Sequence, residues 1–305
     1  MMKTFVLGAG GIGLLLEYLL VKNGCAAQLI ARSHSKNSFF DGKLTVEGAI
    51  DDKVSIVCRT LEEIERFSKD DIIFVTVKAS DTKGLLAQLK DKVEEGAIIV
   101  LCQNGIGIFE ESKDLIAQAT SLRLNCWMGA ARTELNVVKL AGTFKFDLSG
   151  FDKDALQKVA EVLKLTGIRV DVGDAPLLAE WQKALWNIAV NGLCSIVDRE
   201  NGAILEHSEL KTIAEGLLEE ARRVAKLDGV ELSDEDLKQV FKSLETTRAN
   251  VNATLQDLRA GKHTEVDYLN GAVVRRAWEH DQNAPLNETI VNLINYLEKV
   301  EARRK

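Results

Sequence analysis

The sequence predicts an α/β fold: a doubly wound, mostly parallel sheet followed by an all-helical domain. Three observations carry that expectation. Short β-rich runs alternate with helical stretches as far as about Leu148. Gly8, Gly10 and Gly13, in G-x-G-x-x-G spacing, directly follow the first apolar run. From about Ala175 onward the pattern is helical throughout.

In chain order, residues 4–7 read as a strand, 11–23 as a helix and 27–31 as a strand. Residues 72–77 and 97–101 are further strands, with a helix over 82–92 between them and another starting at 108–112. The runs 122–131 and 137–148 suggest two more strands. Candidate helices then cover 177–197, 210–227, 234–249, 265–280 and 288–299, with Pro285 where a helix should break. The 305 residues exceed one typical domain, and the change of character divides them into 1–174 and 175–305.

Composition narrows the function. Hydrophobic content of 46% beside 28% charged residues fits a soluble globular protein. A net charge of −7 without a long basic run argues against nucleic acid as a partner. An uncharged apolar stretch of membrane-spanning length is missing, as is a signal-peptide pattern, so a cytoplasmic protein is expected. The five cysteines are odd in number and scattered without a C-x-x-C pair, which suggests reduced thiols and neither a disulfide framework nor a zinc site. The four histidines form no ligand cluster; His263 and His280 read as surface or supporting residues.

The turn V-L-G-A-G-G-I-G supplies a dinucleotide site. Gly8 permits the tight turn, Gly10 lets a pyrophosphate approach the backbone, and Gly13 allows close helix–strand packing. The helix N-terminus behind Ala9, Gly10, Gly11 and Ile12 offers free N–H groups and partial positive charge. An NAD site ordinarily ends its second strand with an acid for the ribose 2′-OH. Here that strand ends in Q-L-I-A-R-S-H-S-K, and Arg32, Ser33 and Lys36 offer a phosphate-binding set that favours NADP. Lys78 and the Gln103-Asn104-Gly105 loop lie at later strand ends, where a doubly wound sheet borders its ligand. Asn-Gly is also an ordinary turn signal.

In the second half, E-W-Q-K-A-L-W-N-I-A-V-N-G is almost wholly apolar except for Lys183, Asn187 and Asn191. Steps of four stack these three along one side of a helix. Buried amides and an ammonium are costly unless paired, so the stripe should face something polar. Lys183 suits a general acid: apolar neighbours would lower its pKa, and its charge would stabilise a developing alkoxide. Asn201 and Glu265 are further candidates, although Glu265 could equally complement a helix start.

Together these pieces resemble the ketopantoate reductase (2-dehydropantoate 2-reductase) family over nearly the full length. The matching segments are G-A-G-G-I-G, V-K-A-S-D-T, Q-N-G-I-G, the K-x-x-x-N-x-x-x-N run, E-N-G-A-I-L, L-Q-D-L and H-T-E-V-D-Y-L-N-G, with Pro285 beyond. The resemblance implies a Rossmann-type domain, a helical domain, and NADPH-dependent reduction of a small 2-keto acid in the cleft between them. By position, Lys183 would be the general acid, and Asn187, Asn191 and Asn201 would bind substrate polar groups. Glu265 would hold the distal hydroxyl or the lysine network. Asn104 would lie near the nicotinamide and help order Lys183, while Lys78 and Arg32 would serve the cofactor.

Two positions depart from the family pattern. Asn191 is followed by Gly192 where members usually have proline, and Ala253 stands where a serine hydroxyl usually touches substrate. Asn252 and Thr254 flank that gap. The expected function is therefore ketopantoate reduction on the route to pantothenate and coenzyme A. The alternatives are a reductase of another 2-keto acid and a non-catalytic NADP-binding sensor. No membrane or nucleic-acid partner is expected, and a homodimer is a possible assembly.

Overall fold

The computed structural model describes residues 2–33 and 42–303; Lys36 lies outside the described residues. The chain forms two compact units. One contains the residues up to Gln103 together with Ile108–Pro176; the other contains Asn104–Gly107 and the chain from Leu177 onward.

The strands of the first unit are β1 (Thr4–Leu7), β2 (Ala27–Ile30), β3 (Lys43–Gly48), β4 (Asp52–Ser55), β5 (Val57–Arg59), β6 (Ile72–Val75), β7 (Ile98–Leu101), β8 (Thr120–Glu134), β9 (Val137–Ser149) and β10 (Val170–Gly173). Its helices are α1 (Gly11–Lys22), α2 (Ala79–Leu89), α3 (Ile108–Leu115) and α4 (Lys153–Lys164). The run β5–β2–β1–β6–β7–β8 is parallel throughout. That is the 3-2-1-4-5-6 order of a dinucleotide-binding sheet, with its switch point between β1 and β6.

Every residue of β1, β6 and β7 is buried, as expected of central parallel strands covered on both faces. Alternate residues feed opposite cores. Val6, Phe74 and Val100 pack with Leu14 and Leu15 of α1 and Leu156 and Val159 of α4. Phe5, Leu7, Val75 and Leu101 pack with Leu86 and Leu89 of α2 and Phe109 of α3. The doubly wound expectation therefore holds.

Beyond β8 the sheet changes character. β8 and β9 form a long antiparallel hairpin with three register shifts. The other edge of β9 carries β3 at Val137–Leu140 and β10 at Phe146–Ser149. The sequence reading missed β3, β4, β5, β10 and α4. The strands are short and partly exposed, so none presents an unbroken apolar run. Helix α4 did carry a signal: Asp152 caps it by accepting the Ala155 N–H at 2.9 Å, ahead of an amphipathic run.

The second unit is built around α5 (Pro176–Ile196), followed by α6 (Ala203–Glu206), α7 (Ser208–Leu227), α8 (Asp234–Thr246), α9 (Ala253–Arg259), α10 (Asn270–Glu279) and α11 (Pro285–Arg303). Trp181, Leu185, Ile188 and Val190 of α5 join Leu217, Leu218, Val273 and Ile294 in a single core. Pro176 and Pro285 each begin a helix, where a missing N–H costs nothing, so Pro285 starts α11. The helix expected over 265–280 is instead a 3₁₀ turn at Val266–Tyr268 followed by α10. Short α6 and α9 were also missed. Among the described residues, no helix is long and apolar enough to cross a membrane.

Gly192 has a packing explanation. A Cβ there would collide with Ile290 Cγ2, so α5 and α11 approach more closely than a larger residue would allow.

Candidate functional site

In the first unit, the turn from β1 to α1 is shaped by three glycines with three different tasks. Gly8 has φ +123°, and a Cβ on it would lie 2.9 Å from both Thr76 Oγ1 and Val77 N. At Gly13 a Cβ would be driven into the Gly8 carbonyl oxygen. Gly10 instead has no atom of the described residues within 4 Å of a Cβ position. Thr76 ties the turn to β6 by donating from Oγ1 to the Leu7 and Gly8 carbonyls, each at 3.0 Å.

No side chain caps α1 at Gly10, and its first turn carries no acid. Its leading N–H groups are thus presented beside the open face of Gly10, the arrangement that receives a pyrophosphate. Ile12 is partly buried against the core, which seats this first turn. The residues present fit a dinucleotide.

The expected cations lie around this turn. Arg32 follows β2 and is exposed, paired with Asp81 at 2.7 Å. Lys78 precedes α2, where its carbonyl accepts the Asp81 N–H at 2.9 Å. A third cation was not anticipated. The end of β8 folds back over α1, placing the Ala130 oxygen 2.5 Å from a Gly11 Cβ position. Arg132 thereby reaches the turn and donates from Nη1 to the Ala9 carbonyl at 2.9 Å. Among the described residues, its buried Nη2 has no hydrogen-bond partner. A hairpin that returns over a helix 120 residues earlier leaves no local signal in sequence.

In the second unit, the polar stripe of α5 is present and longer than expected. Lys183 is half-buried, whereas Asn187 and Asn191 are 8% and 6% exposed. Asn191 Nδ2 donates to Asn187 Oδ1 at 3.4 Å, and among the described residues the buried Asn191 Oδ1 has no partner. Such an orphaned acceptor costs about 1–3 kcal/mol until a donor meets it. Ser195 is the next step of four, and its Oγ donates to the Asn191 carbonyl at 2.6 Å.

From Ser195 the network leaves the helix. Ser195 Oγ lies 3.2 Å from Asn252 Oδ1, and Asn252 Nδ2 donates to Asn201 Oδ1 at 3.5 Å. Asn252 also caps α9 by accepting the Leu255 N–H at 3.0 Å. Ala253 is exposed beside it, and Thr254 is buried. Asn187, Asn191 and Asn201 are thus joined through Ser195 and Asn252, which the sequence reading left outside its site. Spacing along α5 could have found Ser195.

A second cluster surrounds the loop Asn104–Gly107. Asn104 Nδ2 donates to Glu265 Oε2 at 3.3 Å, so two residues 161 positions apart in sequence meet. The Ile106 N–H donates to the Tyr268 carbonyl at 3.1 Å. The Gly107 N–H donates to Glu180 Oε2 at 2.8 Å. Glu180, one turn before Lys183, was not anticipated either. His263 is exposed with Nδ1 3.0 Å from Glu298, and His280 lies 3.1 Å from Asp228.

Comparison with known proteins supplies the lineage. Residues 4–153 match the model for ketopantoate reductase PanE/ApbA, and residues 177–298 match its C-terminal model. A 2-dehydropantoate 2-reductase from Pyrococcus abyssi is 30% identical, across 99% of this chain and 100% of its own length. The chain belongs to the ketopantoate reductase family. This is an oxidoreductase family. The fold agrees: a PanE/ApbA family ketopantoate reductase from Ralstonia eutropha JMP134 superposes with a TM-score of 0.89 at 22% identity, over 99% of each chain. A D-mandelate dehydrogenase solved with NADH and anilino(oxo)acetate also reaches 0.89, at 21% identity over 99% of each chain. The family uses a nicotinamide cofactor and a small keto acid.

Proposed function

We propose that this protein reduces 2-dehydropantoate to pantoate with NADPH, on the route to pantothenate and coenzyme A. The observation that carries the reading is the α5 stripe, a half-buried lysine in line with two buried asparagines, one of which holds an unpaired acceptor. Nothing in core packing calls for that pattern.

In this reading the turn at Gly8–Gly13 cradles the pyrophosphate, with Ala9, Gly11 and Ile12 in the backbone that surrounds it. Arg132 adds a cation at Ala9, Lys78 serves the cofactor, and Arg32 takes the 2′-phosphate in exchange for its exposed pairing with Asp81. The bound nicotinamide supplies a hydride to the keto carbon. Lys183 Nζ donates a proton to the oxygen as it becomes an alkoxide, and its positive charge stabilises that oxygen beforehand. Asn187, Asn191 and Asn201 orient the substrate's polar groups. Glu265 holds the distal hydroxyl or the lysine network, and Asn104, bonded to Glu265, stands near the nicotinamide.

Steady-state assay with 2-dehydropantoate and NADPH tests the reading. Lys183→Ala should lower kcat by about 10²–10⁴-fold while NADPH binding persists. Cofactor binding without turnover in the wild type would instead favour a sensor. A second reading, reduction of a different 2-keto acid, is motivated by Ala253, where an exposed methyl replaces the family's hydroxyl. A panel of 2-keto acids ranked by kcat/KM separates the two.

A further inference from the structure

We propose that Glu180 is a positioning residue for this reaction: its buried carboxylate anchors the Asn104–Gly107 loop to the helix that carries Lys183. The assignment rests on the roles given above to Lys183 and Asn104.

The loop cannot hold its shape alone. Gly105 and Gly107 have φ of +135° and +85°, a region that glycine enters freely and leaves as freely. Its conformation must be imposed by partners, and the bond to Glu180 is the shortest of the three described above. It is also the one in which a carboxylate oxygen receives a backbone N–H deep in the protein, where charge-assisted bonds are strong. Glu180 is only 1% exposed, a depth that a carboxylate tolerates only with hydrogen-bond donors around it.

The far side of the loop is closed as well. Arg276 Nη2 lies 2.8 Å from where a Gly107 Cβ would sit, and Arg276 is itself held by Asp228 at 2.9 Å. Gly107 is therefore confined between a guanidinium and a carboxylate, with no room for a side chain.

Glu180 and Lys183 are three residues apart on α5 and share one side of it. A helix is stiff over one turn. Tying Gly107 to Glu180 therefore fixes the loop's position relative to Lys183, and Asn104, three residues back, is carried to Glu265. Glu180 touches neither reacting atom; it acts through Asn104.

The test uses the full chain, with Glu180→Ala, Glu180→Asp, Glu180→Gln, Asn104→Ala, the Glu180→Ala/Asn104→Ala double variant and Lys183→Ala assayed together. Hydrogen exchange of a peptide covering residues 102–108 is read alongside. Glu180→Ala should lower kcat about tenfold or more and speed exchange in that peptide. Glu180→Gln should recover most of both, because its amide oxygen still accepts the Gly107 N–H. The double variant should be no slower than Asn104→Ala alone, since both changes break one device. Additive losses in the double variant, or wild-type kcat and exchange in Glu180→Ala, would overturn the assignment. Should Glu180→Ala not fold, Glu180→Asp decides, because its shortened side chain withdraws the carboxylate: slowed turnover with faster exchange supports the assignment, and wild-type behaviour in both overturns it. If Lys183→Ala keeps full turnover, the functional reading falls and this inference with it. If Lys183→Ala is inactive while the Glu180 and Asn104 losses add, only the Glu180 assignment falls.

Discussion

In the proposed reading, the glycine turn of the first unit and the asparagine stripe of the second hold their polar ligands in opposite ways. The turn is made of backbone. Its parts are contiguous, Gly8 to Gly13, and its N–H groups need no side chain. The stripe and its network are made of side chains drawn from α5, the segment around Asn201 and the cap of α9. At Gly8 and Gly13 the backbone leaves no room for an added atom. Among the asparagines the loss of one amide is milder, because its neighbours share the hydrogen-bonding load.

The largest expected effect follows from that contrast. Gly13→Val should abolish NADPH binding, because its first carbon collides with the Gly8 carbonyl and overpacking of this kind costs about 1–3 kcal/mol in stability besides. Titration of cofactor fluorescence measures it; binding within threefold of wild type would remove the claim that backbone geometry makes this site.

A sharper separation of core from site comes from Glu17, fully buried on α1. Burial, only partly offset by the Leu29 backbone, pushes its carboxyl up to about 8. The unfolded group ionises near its ordinary value of about 4.3, so between there and pH 8 the unfolded state binds fewer protons and stability falls as pH rises. Above pH 8 this contribution levels off. Glu17→Gln should flatten that slope, which amounts to a few kcal/mol, in urea unfolding followed from pH 5 to 9. An unchanged slope would mean that Glu17 is not the titrating group.

A single loss from the stripe should be milder. Asn191→Leu removes the unpaired acceptor and the donor to Asn187, so kcat/KM should fall about 10–100-fold, as for one or two hydrogen bonds to a charged ligand. A loss as complete as that expected for Gly13→Val would erase the distinction between the two kinds of site. The smallest effect belongs to Arg32→Asp. In the proposed reading the exposed Arg32 takes the 2′-phosphate, and the change should lower the NADPH-over-NADH preference by about tenfold. Unchanged preference would move the 2′-phosphate to other cations.

Much of the fold was legible for a physical reason. Buried parallel strands are continuous apolar runs, and β1, β6 and β7 stand out as such. Strands at and near the sheet margins are short and mixed in polarity, so β3, β4, β5 and β10 did not. In the candidate site, helical spacing alone brought out Lys183, Asn187 and Asn191, and the same spacing would have reached Ser195. It could not reach Arg132, Glu180 or Asn252, whose partners lie 123, 73 and 51 residues away.

The sequence by itself determined whatever depends on neighbours along the chain: the glycine turn, the order of sheet and helices, and the stripe on one face of α5. Each is set by a period or a local backbone preference that a short window contains. Tertiary structure decided what depends on distant segments meeting. It closed Ala9 under Arg132, set Asn104 against Glu265, and locked Gly107 to Glu180. Those pairings follow from how strands and helices pack, and packing leaves no period in the sequence by which a partner can be found.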